Sequence, residues 1–92
     1  MVGGNLCKWV DLVGSSAVQI KTGRCVVRSI YVVKANATDV IVLRDGTENS
    51  STAKITLQCD NVSSLSNVNI AFNAGLRATF TGSTALIKVI YE

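Results

Sequence analysis

The chain has 92 residues, 48% of them hydrophobic, only 5% aromatic and 16% charged, with a formal net charge of +3. That length holds one domain, 1–92, with a single core, and the core must be aliphatic. Histidine is absent and charge is sparse. The usual general base and metal ligand are therefore missing, and a surface dedicated to nucleic acid would need more cations and more exposed rings.

Taken in chain order, the dominant signal is period-two alternation, and no stretch of helical length carries a 3.6-residue pattern. The opening Met1-Val2-Gly3-Gly4-Asn5 has no basic segment followed by an apolar one. Apolar runs of about four residues fall far short of the roughly 18 that span a bilayer. No membrane contact is expected, and synthesis in a cytoplasm is.

The first expected strand covers 6–13, where either face of Leu6-Cys7-Lys8-Trp9-Val10-Asp11-Leu12 could be the buried one. Trp9 thus reads equally as a core residue and as an anchor for a partner. The second, 17–22, alternates Val18 and Ile20 with Gln19 and Lys21. The third, 24–34, is apolar on both sides: alternation puts Cys25, Val27, Tyr31 and Val33 on one, and Val26, Ile30 and Val32 on the other. A fourth strand, 39–45, runs into Asp45-Gly46, which opens a loop to Thr52. In the fifth, 53–59, Ala53, Ile55, Leu57 and Cys59 oppose Lys54, Thr56 and Gln58. The sixth, 67–72, turns Val68, Ile70 and Phe72 inward, and the seventh, 75–81, does the same with Leu76, Ala78 and Phe80. The last, 85–91, sets Ala85, Ile87, Val89 and Tyr91 against Leu86 and Ile90, and so is again apolar on both faces.

Strands recurring about every ten residues between turn signals are the mark of a sandwich or barrel. The expectation is an all-β chain: a single small antiparallel β-sandwich of seven to eight strands, jelly-roll or immunoglobulin-like. A two-layer sandwich has no internal reason to bury both faces of a strand. The second apolar face of the third and last strands, with the low charge, points to assembly with another subunit.

Chemistry is sought in vain. The acids Asp11, Asp39, Asp45, Glu48, Asp60 and Glu92 lie in turns or at strand ends, with no paired catalytic constellation. Gly3-Gly4 and Gly14-Ser15-Ser16 precede no helix and read as turns, not phosphate cradles. Cys7, Cys25 and Cys59 form no CxxC pair and read as reduced, packed thiols. No cofactor and no metal is expected. The sequons at Asn36, Asn49 and Asn61 read as polar loops. Arg24, Arg28 and Lys34 could form a short basic stripe around Ile30, but without the aromatics that stacking on single-stranded nucleic acid requires.

Three blocks carry a resemblance: Val40-Ile41-Val42-Leu43-Arg44-Asp45-Gly46-Thr47, Ala74-Gly75-Leu76-Arg77-Ala78-Thr79-Phe80-Thr81-Gly82, and Ile87-Lys88-Val89-Ile90-Tyr91-Glu92. A strand ending in a D-G-T turn, a later G-L hairpin closing on T-G, and a final V-x-Y strand resemble small β-sandwich virion proteins of tailed bacteriophages. The similarity covers about residues 18–92, although the loop from Glu48 to Thr52 is more polar than in that class. The resemblance implies a non-enzymatic capsid decoration (cement) protein that binds and stabilises the assembled head. The implied partners are the major capsid protein or another virion protein and further copies of itself, in the virion. Trp9, Ile30, Tyr31, Val32 and Leu86 are then the interface candidates, with Arg24, Arg28 and Arg77 as contacts to an acidic capsid surface. A tail, neck or fibre module of a virion, or a small glycan- or single-stranded-nucleic-acid-binding barrel, is the alternative.

Overall fold

A computed structural model describes residues 8–13, 17–36, 38–59, 66, 68–82 and 85–92. Cys7, Asp60, Gly3-Gly4, Gly14-Ser15-Ser16 and the sequon at Asn61, together with the outer residues of the first and sixth expected strands, lie outside these. Eight strands form: β1 (Lys8–Val13), β2 (Val18–Thr22), β3 (Cys25–Lys34), β4 (Val40–Asp45), β5 (Thr52–Gln58), β6 (Ile70–Phe72), β7 (Gly75–Thr81) and β8 (Leu86–Tyr91). Each sits where alternation places it, because a period of two puts every second side chain on one face, except that β6 is shorter than the expected 67–72: Val68 and Asn69 are not in a strand, and Asn69 has a left-handed φ of +50°.

All pairings are antiparallel, and they nest. β4 pairs with β5, β3 with β6, β2 with β7 and β1 with β8. This is one long ribbon doubled back at residues 46–51. The ribbon then rolls up, so that β8 also meets β3 and β7 also meets β4. The result is two four-stranded sheets, ordered β1-β8-β3-β6 and β2-β7-β4-β5. That order is the jelly roll and excludes the immunoglobulin arrangement, in which strands are distributed differently between the sheets. The inner faces supply an aliphatic core: Ile87 and Val89 from β8 and Val27 and Ile30 from β3 face Ile41 and Leu43 from β4 and Leu76 from β7, with Phe72 among them.

One expectation about faces is corrected. Ile30 is fully buried and Val32 packs against the core, on the same side as Cys25 and Val27, while Tyr31 and Val33 are exposed. The cause is a bulge: Val27 pairs with Tyr91, but Ser29 pairs with Ile90, leaving Arg28 as an extra residue in β3. One extra residue reverses the phase of the positions that follow, here as far as a second register shift between Val32 and Lys34.

Polar groups fasten the two ends of the roll. At one end the carboxylate of Asp45 accepts hydrogen bonds from the backbone N–H groups of Asn73 (3.0 Å) and Ala74 (2.7 Å), fixing the turn that carries the chain from one sheet to the other. These donors hold its pKa below the ordinary carboxylate value, Ala74 contributing most. At the other end the buried Asp39 accepts from the N–H of Ala85 at 2.7 Å. Gly82 has φ of +91°, and a Cβ there would collide with the Asp39 carboxylate, so only glycine serves at this turn.

Candidate functional site

The outward positions of the β1-β8-β3 surface follow from the register. Trp9 lies opposite Ile90, Asp11 opposite Lys88 and Val13 opposite Leu86 across β1 and β8. On the other flank of β8, Tyr31 lies opposite Lys88 and Ser29 opposite Ile90. Because Leu12, Ile87, Val89 and Ile30 are buried on the inner side, their neighbours along each strand must point outward. The described large hydrophobic residues that stand exposed are Trp9 (65%), Val13 (61%), Val33 (56%) and Tyr31 (37%), and all belong to β1 or β3 of this sheet. Leu86 and Ile90 of β8, half-buried, lie between these strands.

The charge at the centre of this face is compensated. The Lys88 ammonium lies 5.5 Å from the centroid of the Trp9 ring and 3.3 Å from the Asp11 carboxylate. Such a cation held over an aromatic face contributes about 0.5–1 kcal/mol at an exposed site. A hollow of about 430 Å³ between Lys8, Trp9, Lys88 and Ile90 gives the face relief. The arrangement offers rings, branched aliphatics and a neutralised ion pair, groups that are frequent in interface cores.

The sequence candidates divide among five places. Trp9, Tyr31 and Leu86 come together on this face. Ile30 is core and Val32 half-buried beneath the face, so neither is presented to a partner. Arg24 is exposed in the turn between β2 and β3. Arg28 donates to Glu92 at 2.6 Å and to the side-chain oxygen of Asn69, tying β3 to the segment before β6 and to the residue after β8. Arg77 lies on the outer face of the other sheet, opposite Arg44. Val13, Val33, Lys88 and Ile90 complete the β1-β8-β3 face and were not among the candidates. Ile90 was within reach, since it shares the second apolar side of β8 with Leu86.

Cys25 and Cys59 are buried in the core, and burial pushes the Cys25 thiol above its ordinary pKa. Among the described residues no cluster of three or more His, Cys, Asp or Glu side chains could hold a metal ion. Compared with known protein families and with curated proteins, the chain matches none.

Proposed function

We propose that the protein is a non-enzymatic structural component of a virus particle, of the capsid decoration (cement) kind, which docks on the assembled shell through the outer face of β1, β8 and β3. The observation that carries this reading is the gathering of Trp9, Val13, Tyr31, Leu86 and Ile90 on one solvent-facing surface. A solitary jelly roll would be expected to clothe that surface in polar side chains, as antiparallel sheets facing water do. The jelly roll is also a recurrent fold of viral capsid domains, which supports the reading at the level of analogy. A protein that binds the closed shell and not the free subunit stabilises the shell by mass action.

The test is co-sedimentation with assembled shells, read together with the solution mass by light scattering and the melting temperature of the shells. Binding that raises the shell melting temperature and disappears in Trp9→Asp supports the proposal. Trp9 is the sole tryptophan, so its emission should shift to the blue on docking as the ring leaves water. A monomer that ignores shells, or one whose Trp9→Asp variant occupies them unchanged, overturns it.

A further inference from the structure

The opposite face of the molecule carries a feature that shell docking leaves unexplained. Arg44 of β4 and Arg77 of β7 lie directly opposite each other in register, on the outer side of the second sheet. Like charges in that position repel, and a sheet keeps them at a cost unless something lies between or above them. Among the described residues no carboxylate forms an ion pair with either. The ion pairs among the described residues are Arg28 with Glu92 and Lys88 with Asp11. Arg44 instead donates to the Thr79 hydroxyl at 3.1 Å and the Ser51 carbonyl at 3.0 Å. Arg77 donates to the amide oxygens of Asn49 at 2.8 Å and Gln19 at 3.1 Å. Gln19 is itself anchored, its amide nitrogen donating to the carbonyls of Lys21 and Gly46, each at 2.9 Å. Both guanidinium groups are therefore half-buried, held in place by neutral acceptors, and left with three of their five N–H donors uncommitted to the protein.

Beside them opens a cleft of about 400 Å³, lined by Arg44, Asn49, Thr79 and Thr81 with Ala17, Val42 and Phe80. We propose that this cleft is a binding site for an acidic saccharide, with Arg44 taking the carboxylate and Asn49, which Arg77 holds in place, meeting the sugar hydroxyls together with Thr79 and Thr81. The preset guanidinium fork of Arg44 suits a planar carboxylate, which accepts paired N–H bonds. Hydroxyl and amide groups at the rim suit a ligand that is otherwise neutral and polar. A polyanionic nucleic acid would call for a longer cationic track and stacking rings. Here Lys54, the next cation along this sheet, is turned to the Ala71 carbonyl and the Phe72 ring. The site lies on the sheet opposite the docking face, so a bound particle could keep it open to solvent.

Amide-resolved NMR titration of the isolated protein tests this, with a sialylated trisaccharide and a glucuronic-acid disaccharide as probes, and lactose and inorganic phosphate as comparators. Shifts confined to β4, β7 and residues 46–51 are expected with the acidic sugars at roughly millimolar affinity, about tenfold tighter than with lactose or phosphate. Arg44→Gln should weaken that response about tenfold, and Arg77→Gln, which releases Asn49, by a smaller factor, while both retain the dispersed spectrum of the folded chain. No shifts with either acidic sugar, or shifts elsewhere, overturn the proposal. So does an equal response to lactose, or to phosphate, or a response unchanged in both variants. The wild-type map alone decides the matter if a variant fails to fold. Because no shell is present, the result stands apart from the fate of the docking proposal.

Discussion

Strands β7 and β8, one from each sheet, both lie between two neighbours and both turn apolar side chains inward. Outward they diverge. β7 shows Arg77, Thr79 and Thr81, in company with Gln19 of β2 and Arg44 of β4; β8 shows Leu86, Lys88 and Ile90, in company with Trp9, Val13 and Tyr31. The inner positions specify the fold equally well in both sheets, so the outward positions are free to record what each face meets. On β7 they are polar and charged, and it is there that we propose a charged ligand. On β8 they are largely apolar, and the partner we propose for that face would remove apolar area from solvent, at about 25 cal/mol per Å² before the costs of association.

The largest test of this division lies across the bulge in β3. Ile30→Ala should destabilise the fold by about 2–5 kcal/mol in chemical denaturation, because it opens a cavity under the sheet. Tyr31→Ala, one residue on, removes a side chain from the outer face and should cost about 1 kcal/mol or less. Equal losses would mean that the inner and outer faces of β3 have been assigned in the wrong phase.

Trp9→Asp should be milder still in the free protein, within about 1 kcal/mol, since the ring is mostly exposed and loses chiefly its contact with Lys88. A collapse of the fold on this substitution would show that Trp9 serves the core, and would erase the contrast between the faces.

On the second sheet, raising salt should stabilise the wild type by a few tenths of a kcal/mol as the Arg44–Arg77 repulsion is screened. Arg77→Gln should flatten that response. A salt dependence identical in both chains would mean that the two guanidinium groups do not oppose each other.

The smallest effect belongs to the turn that joins the sheets. The Asp45 carboxyl has its folded pKa lowered from 3.8 by the Ala74 and Asn73 amides. Its contribution is therefore full above the unfolded value and is lost as pH falls through the lower folded value. Asp45→Asn should blunt the acid limb of a melting-temperature profile below that ordinary value and leave its neutral portion with the shallower slope of the remaining carboxylates. An acid limb unchanged in the variant would exclude Asp45 as a source of acid sensitivity.

Much of this architecture is written locally. The seventh expected strand, 75–81, is β7 to the residue, and the last, 85–91, differs from β8 only at its first position. Alternation and turn residues act over a few positions, so a single sequence displays them. Strand order is another matter: Trp9 pairs with Ile90, and nothing in the alternation of one names the other. The bulge at Arg28 was equally hidden, for no glycine marks it and both sides of the strand are apolar. That is why Ile30 looked like a surface residue. The docking face was half visible, in the second apolar side of β8 and in the unplaced Trp9. The arginine pair was not, because β4 and β7 meet only through the roll.

The nesting of the strand pairs also sets an order of assembly. β4 and β5 close across residues 46–51, and each later pair closes around those already made. Bringing β1 to β8 directly would close a loop of residues 14–85, costing roughly 4 kcal/mol in chain entropy beyond a constant term. Once the inner pairs exist, most of that loop has already been drawn in, and β1 has only to lay itself along a finished edge. Loop entropy therefore favours β1 as the last strand to join, and amide exchange should find it among the first to open. Trp9 rides on that strand. A chain that has not finished folding lacks half of the surface by which we propose it attaches, so incomplete copies would be turned away without any separate proofreading device.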